Sequence, residues 1–336
     1  MPLHEINGQW IHYEDTGGKL GPVVLAHGVL MDHEMFAPQI AARNSDWRII
    51  TWDARCHGET ETTDDPFTYW DLAEDLRGLL DHLGIHRAVI GGVSQGGFVA
   101  LRFALRYPDR VAALILLDTE AGAEDPRKVA MYEAMLEAWE ADGLNDRLAQ
   151  AIATIILGNE WPGRQAWIAK WRRVPRSLLR PVFKALVERD DIHDRLGEIT
   201  APAMVIHGTA DAAIDIEMAE RLCSELANCR PLIRIDGGGP ACNLTHPNLV
   251  NLAIYQYLID LPLKTPRGAE RRGSGRRSIA KRRHGERRNP VRALAGRRVL
   301  FPFERRIAER RARERRAAWP GLSHWTPGPG WPPATR

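Results

Sequence analysis

Continuous apolar runs alternate with stretches of helical spacing through the first 120 residues. The segments "PVVLAHG" (22–28), "WRIITWD" (47–53), "RAVIGGVS" (87–94) and "VAALILLDT" (111–119) read as strands buried on both faces. "QWIHYE" (9–14) alternates apolar and polar before the turn "DTGG" and reads as a half-exposed strand. Between these runs, "YWDLAEDLRGLLDHLG" (69–84) has helical spacing and a glycine stop, and "QGGFVALRFALRYP" (95–108) reads as a helix ended by Pro108. Apolar strands separated by helices predict an α/β fold: a mostly parallel central sheet with helices on both faces.

The rhythm breaks over residues 121–197, where long helical stretches such as "DPRKVAMYEAMLEAWEADG" occur without a strand. It resumes with "APAMVIHGTAD" (201–211), a helix over 216–227, the strand "PLIRID" (231–236) and a helix from Pro247 to about Asp260. The predicted organisation is therefore a core from 1–120 and 198–262 with an inserted helical cap at 121–197. No internal repeat is visible.

After residue 262 the pattern ends. Residues 263–336 hold 22 Lys and Arg against 5 Glu and no Asp, while the rest of the chain is net acidic. Such a segment has too few branched apolar residues to offset its ordering entropy, so a disordered basic tail is expected. It would bind polyanions nonspecifically, but it has no recognisable nucleic-acid motif. Its abrupt Arg/Gly/Pro/Ala composition is what a GC-rich gene yields when read out of frame.

Composition narrows the class further. The N-terminal "MPLHEINGQW" lacks the regions of a signal peptide, and no run of 18 apolar residues exists, so a soluble cytoplasmic protein with no membrane partner is expected. Cys56, Cys223, Cys229 and Cys242 have no metal-ligand spacing. In that compartment they are expected as thiols rather than a disulfide framework.

The candidate chemistry starts at "GGVSQGG" (91–97), which leaves a strand and opens a helix, the context of a G-x-S-x-G nucleophile elbow. Gly92 and Gly96 would leave room for a sharp turn holding Ser94 in a strained conformation, with the N–H of Gln95 aimed at an oxyanion.

Over roughly residues 5–262 the chain resembles the α/β-hydrolase superfamily, and further motifs follow in that family's order. "HGVL" (27–30) looks like its oxyanion loop, which implies the Val29 N–H as second donor beside Gln95. "WDARCHGET" (52–60) resembles its Asp-x-Arg-Gly-x-Gly loop, with Cys56 in place of glycine. "IHGTAD" (206–211) resembles the strand end that carries the acid, which implies that role for Asp211, with Asp118 or Glu120 as alternatives. His27, His57 and His207 are expected to brace loops.

The resemblance implies a histidine after the last core strand. Here "DGGGPACNLTHP" (236–247) puts Pro240 at that place. His246 is a displaced candidate: six residues can span about 20 Å when extended, so orientation rather than reach is the obstacle. One base change separates a histidine codon from a proline codon.

The implied function is a serine hydrolase cleaving small, largely apolar carboxylic esters or lactones through an acyl-enzyme, impaired at Pro240, with no metal or organic cofactor. A carbon–carbon bond hydrolase or a haloperoxidase-like member shares the same triad, and a non-catalytic binding protein on this fold is the alternative from a different class. Homodimer formation is left open. Trp139, Trp161, Trp167 and Trp171 in the insertion suggest either an apolar pocket roof or packing.

Overall fold

A computed structural model describes residues 3–42, 46–62 and 64–261. The expectations for the basic segment 263–336 lie outside the described residues. Eight strands form one sheet: β1 (Leu3–Ile6), β2 (Gln9–Asp15), β3 (Pro22–Ala26), β4 (Arg48–Trp52), β5 (Ala88–Val93), β6 (Val111–Leu117), β7 (Ala203–Gly208) and β8 (Ile233–Ile235). Their order is β1-β2-β4-β3-β5-β6-β7-β8. The pairs β1–β2 and β2–β4 are antiparallel, and every pair from β4–β3 to β7–β8 is parallel.

The parallel strands are apolar throughout because both faces are covered. Val23 and Leu25 of β3 point into one buried cluster, and Val24 and Ala26 into the other. One cluster contains residues of α2 (Tyr69–His82), α3 (Gln95–Arg106) and α8 (Ile216–Glu225). The other joins the region of α1 (Ala37–Ala42) to α9 (Cys242–Thr245) and α10 (Pro247–Asp260). Each side chain fully buried in this way is worth about 1.5–3 kcal/mol. Helix α2 begins with a reciprocal cap in which Thr68 Oγ1 accepts from Asp71 N and Asp71 Oδ2 accepts from Thr68 N at 2.7 Å.

Between β6 and β7 the chain is helical, as the pattern predicts: α4 (Pro126–Asp142), α5 (Asp146–Leu157), α6 (Arg164–Trp171) and α7 (Leu179–Val187). Buried Arg189 ties this segment to the sheet, pairing with Glu120 after β6 and with Glu124, both at 2.6 Å. No helix among the described residues is long and apolar enough to cross a membrane.

One expectation is corrected. Cys223 and Cys229 form a disulfide, with Cα atoms 5.6 Å apart. The pair closes the turn between α8 and the approach to β8, a proximity that spacing alone does not reveal.

Candidate active site

Ser94 stands between β5 and α3 with φ 50° and ψ −115°, a backbone region costly for a side chain. The conformation is held from three sides. Ser94 N donates to Leu117 O at 2.9 Å, and Ser94 O accepts from Gly97 N and from Thr119 Oγ1, each at 2.8 Å. The glycines of the motif are required by contact. A Cβ on Gly96 would lie 2.0 Å from Ala26 O, and one on Gly92 would lie 2.4 Å from Gly96 C. Helix α3 and β3 thus approach as closely as glycine permits.

Ser94 opens into an apolar cavity of about 80 Å³. Its walls come from the loop after β3 (Val29, Met31, Met35), from α4, α5 and α7 (Tyr132, Met135, Ile155, Phe183), and from the loops after β7 and β8 (Ala213, Pro240, Ala241). No Lys, Arg or His lines it among the described residues, and no tryptophan does either. Trp139, Trp167 and Trp171 are instead buried in packing, and Trp161 lines a separate surface hollow. Of the two readings of these tryptophans, packing is the one that Trp139, Trp167 and Trp171 follow, and Tyr132 and Phe183 supply the aromatic lining. Their helical spacing was visible in the sequence, but it does not distinguish a cavity wall from a core contact.

Val29 lines the same cavity as Ser94 and Gln95 follows Ser94 at the start of α3; no acceptor within the chain takes up either backbone N–H among the described residues. The loop carrying Val29 is braced by two histidines. His27 Nδ1 donates to Gly28 O at 2.8 Å while its Nε2 accepts from Ala54 N at 3.0 Å. His57 Nδ1 donates to Arg55 O at 2.8 Å while its Nε2 accepts from Leu30 N at 3.3 Å. Burial lowers both pKa values, that of His57 to about 3, so both rings are neutral as this bonding requires. Buried Asp53 collects N–H donors from His12, His33 and Glu59. Burial alone would raise its pKa, but the bonds from His12 and His33 hold it far below the carboxylate range. Cys56 has φ 63°, a left-handed conformation that favours glycine.

The three acidic candidates have different surroundings. Glu120 is engaged by Arg189. Asp118 is fully buried, and its two oxygens accept from Gly208 N at 2.8 Å and Cys242 N at 3.1 Å, joining β7 to the loop of Pro240. Asp211 Oδ1 accepts from Ala213 N at 2.7 Å and Ile214 N at 2.9 Å. Its Oδ2 is buried without a hydrogen-bond partner among the described residues. His207 Nε2 approaches Oδ2 to 3.4 Å, but that ring nitrogen lies closer to Ile214 O, at 2.9 Å. Burial, and then the neighbouring Asp118 charge, push the Asp211 carboxyl up to about 8.

Pro240 is buried and lines the cavity beside Ser94. His246 does not. It stands at the start of α10 with Nδ1 2.9 Å from Thr245 Oγ1, and no hydrogen bond joins it to Ser94 or Asp211 among the described residues. Among the described residues, two groups hold ligand-capable atoms close together, His12/His33/Asp53 and Asp118/His207/Asp211. In both, carboxylate oxygens are already engaged by N–H donors.

A largely parallel sheet, a strained serine between strand and helix, and an acid after β7 define an α/β hydrolase. A family profile described as the alpha/beta hydrolase fold matches residues 21–247, and the chain belongs to that family. It is 28% identical over 221 residues to 3-oxoadipate enol-lactonase 1 from Acinetobacter baylyi, covering 63% of this chain and 80% of that one. A thermophilic esterase from Thermogutta terrifontis superposes with a TM-score of 0.70 at 28% identity, covering 77% of this chain and 97% of its own. The enol-lactonase from Burkholderia xenovorans gives 0.70 at 26% identity, its whole length matching 77% of this chain.

Proposed function

We propose that this α/β hydrolase is built to cleave small, uncharged carboxylic esters or lactones through an acyl-enzyme on Ser94, and that proline at 240 deprives it of the general base. The observation that carries the reading is Ser94 on its strained turn, at the wall of an apolar cavity and beside two unengaged N–H groups. Ser94 Oγ would attack the carbonyl carbon while Val29 and Gln95 N–H groups bind the developing oxyanion. The apolar lining favours a neutral acyl group, because a free carboxylate there would be buried without a cation. Residues 121–197 act as the cap over this cavity, contributing Tyr132, Met135 and Phe183.

Asp211 is the acid of the site. Asp118 has both oxygens engaged, whereas Asp211 retains one buried lone-pair position without a donor. An imidazole N–H is the donor that would satisfy it, and His246 is held elsewhere by Thr245. Without the base, Ser94 keeps its proton, and catalysis falls by on the order of 10⁶, leaving what the oxyanion site and binding supply.

The same observation supports a second reading, in which the Pro240 protein binds small apolar molecules without turning them over. A fluorophosphonate probe separates the two. Slow labelling of Ser94 in the parent and fast labelling in Pro240→His supports the hydrolase. A Pro240→His protein that binds an ester but labels no faster supports the binding module.

A further inference from the structure

We propose that Trp171, assisted by Lys170, is a positioning residue for the oxyanion site, so that the inserted helices aim and polarise the Val29 N–H. The proposal rests on the reading of Val29 as an oxyanion donor. Trp171 is 1% exposed, and its Nε1–H donates to Leu30 O at 2.6 Å. Leu30 C=O and Met31 N–H belong to one planar peptide unit. On the far side of that unit, Met31 N donates to Gly28 O at 3.1 Å. Gly28 C=O and Val29 N–H belong in turn to one planar unit. A continuous relay therefore runs from the indole through two peptides to the Val29 N–H. Hydrogen bonds in such chains polarise one another, and a held carbonyl fixes the direction of the N–H opposite it.

The relay depends on an unfavourable conformation. Leu30 has φ 62°, which costs a branched side chain roughly 1–2 kcal/mol. Its two peptide groups are gripped from opposite sides, the N–H by His57 and the C=O by Trp171. Losing the indole donor frees Leu30 to relax, and relaxation takes Met31 N away from Gly28 O. Lys170, the preceding residue on α6, adds a second attachment. Its Nζ lies 2.6 Å from Asp32 Oδ2 and 2.8 Å from Glu34 Oε2, and 4.4 Å from the centre of the Trp167 ring. Helix α6 is thereby fastened to the oxyanion loop on both sides of Met31.

Trp171→Phe keeps an aromatic ring in the packing and removes the donor together with part of the indole's volume, so the split between kcat and KM carries the test. In a Pro240→His background, it is expected to lower kcat for a short-chain ester about tenfold, with KM changed by less than about twofold. Lys170→Met is expected to give a smaller fall of the same kind. An unchanged kcat, or a rise in KM that accounts for the whole loss, overturns the proposal. Should the Pro240→His protein be inactive, the functional reading fails separately, and a second measurement decides the positioning role. In the protein with Pro240, at alkaline pH where the hydroxide adduct of butylboronic acid condenses with the Ser94 hydroxyl and releases water, boronate binding is expected to weaken at least about fivefold in Trp171→Phe, while butanol binding stays the same. Equal effects on both ligands, or boronate binding no tighter than in Ser94→Ala, overturn it.

Discussion

Pro240 and Ser94 face the same apolar cavity, and Asp211 nearby keeps one buried carboxylate oxygen without a donor. The two facts belong together. On the function proposed above, a proline in place of an imidazole at that position would leave Ser94 without a base and Asp211 without a partner.

The orphaned acid affects stability in a pH-dependent way. The Asp211 carboxyl is raised from the ordinary 3.8 to about 8, so between those values the folded protein holds a proton that the unfolded chain has released. Stability therefore falls as pH rises through this window. Asp211→Asn removes the effect and is expected to stabilise the protein by up to about 4 kcal/mol at pH 7, and by almost nothing near pH 4. Urea unfolding across that range measures the gain, and a destabilised Asn variant at pH 7 would contradict it.

The elbow permits no side chain at Gly96, where a Cβ would meet Ala26 O at 2.0 Å. Gly96→Ala is expected to cost about 3 kcal/mol or to prevent folding, since the obstacle is backbone and cannot rotate away. Thermal unfolding gives the value, and a variant within about 0.5 kcal/mol of the parent would show that the strand and helix can separate cheaply.

Acid acts through the buried histidines. The folded pKa of His57 is about 3 against an ordinary 6.5, so below 6.5 the unfolded chain takes up a proton that the folded one refuses. Stability is expected to fall by up to about 1.4 kcal/mol per pH unit from this ring as pH drops toward 3. His57→Gln should flatten that limb of the stability profile. Parallel profiles for parent and variant would assign the acid sensitivity to other groups.

Much of this architecture is legible in the sequence because the parallel strands are buried on both faces. Runs such as "VAALILL" in β6 have no polar residue to confuse the pattern. Strand β1 escapes notice because "LHEI" is mostly exposed and pairs only at the sheet edge. The elbow is legible for a different reason: Gly92 and Gly96 stand where a Cβ would collide with backbone atoms, so the residue types themselves record the close approach. The relay from Trp171 to Val29 is not legible. Its first bond joins Trp171 to Leu30, 141 positions apart, and the rest runs through backbone groups, whose bonding leaves no signature in residue types.

Hydrolysis of p-nitrophenyl butyrate by the parent, Ser94→Ala and Pro240→His tests the central claim most directly. Restored histidine is expected to raise kcat/KM over the parent by at least about 10³-fold, with the parent only slightly above Ser94→Ala. A folded Pro240→His protein no more active than the parent, or a parent whose high activity survives Ser94→Ala, would contradict the account.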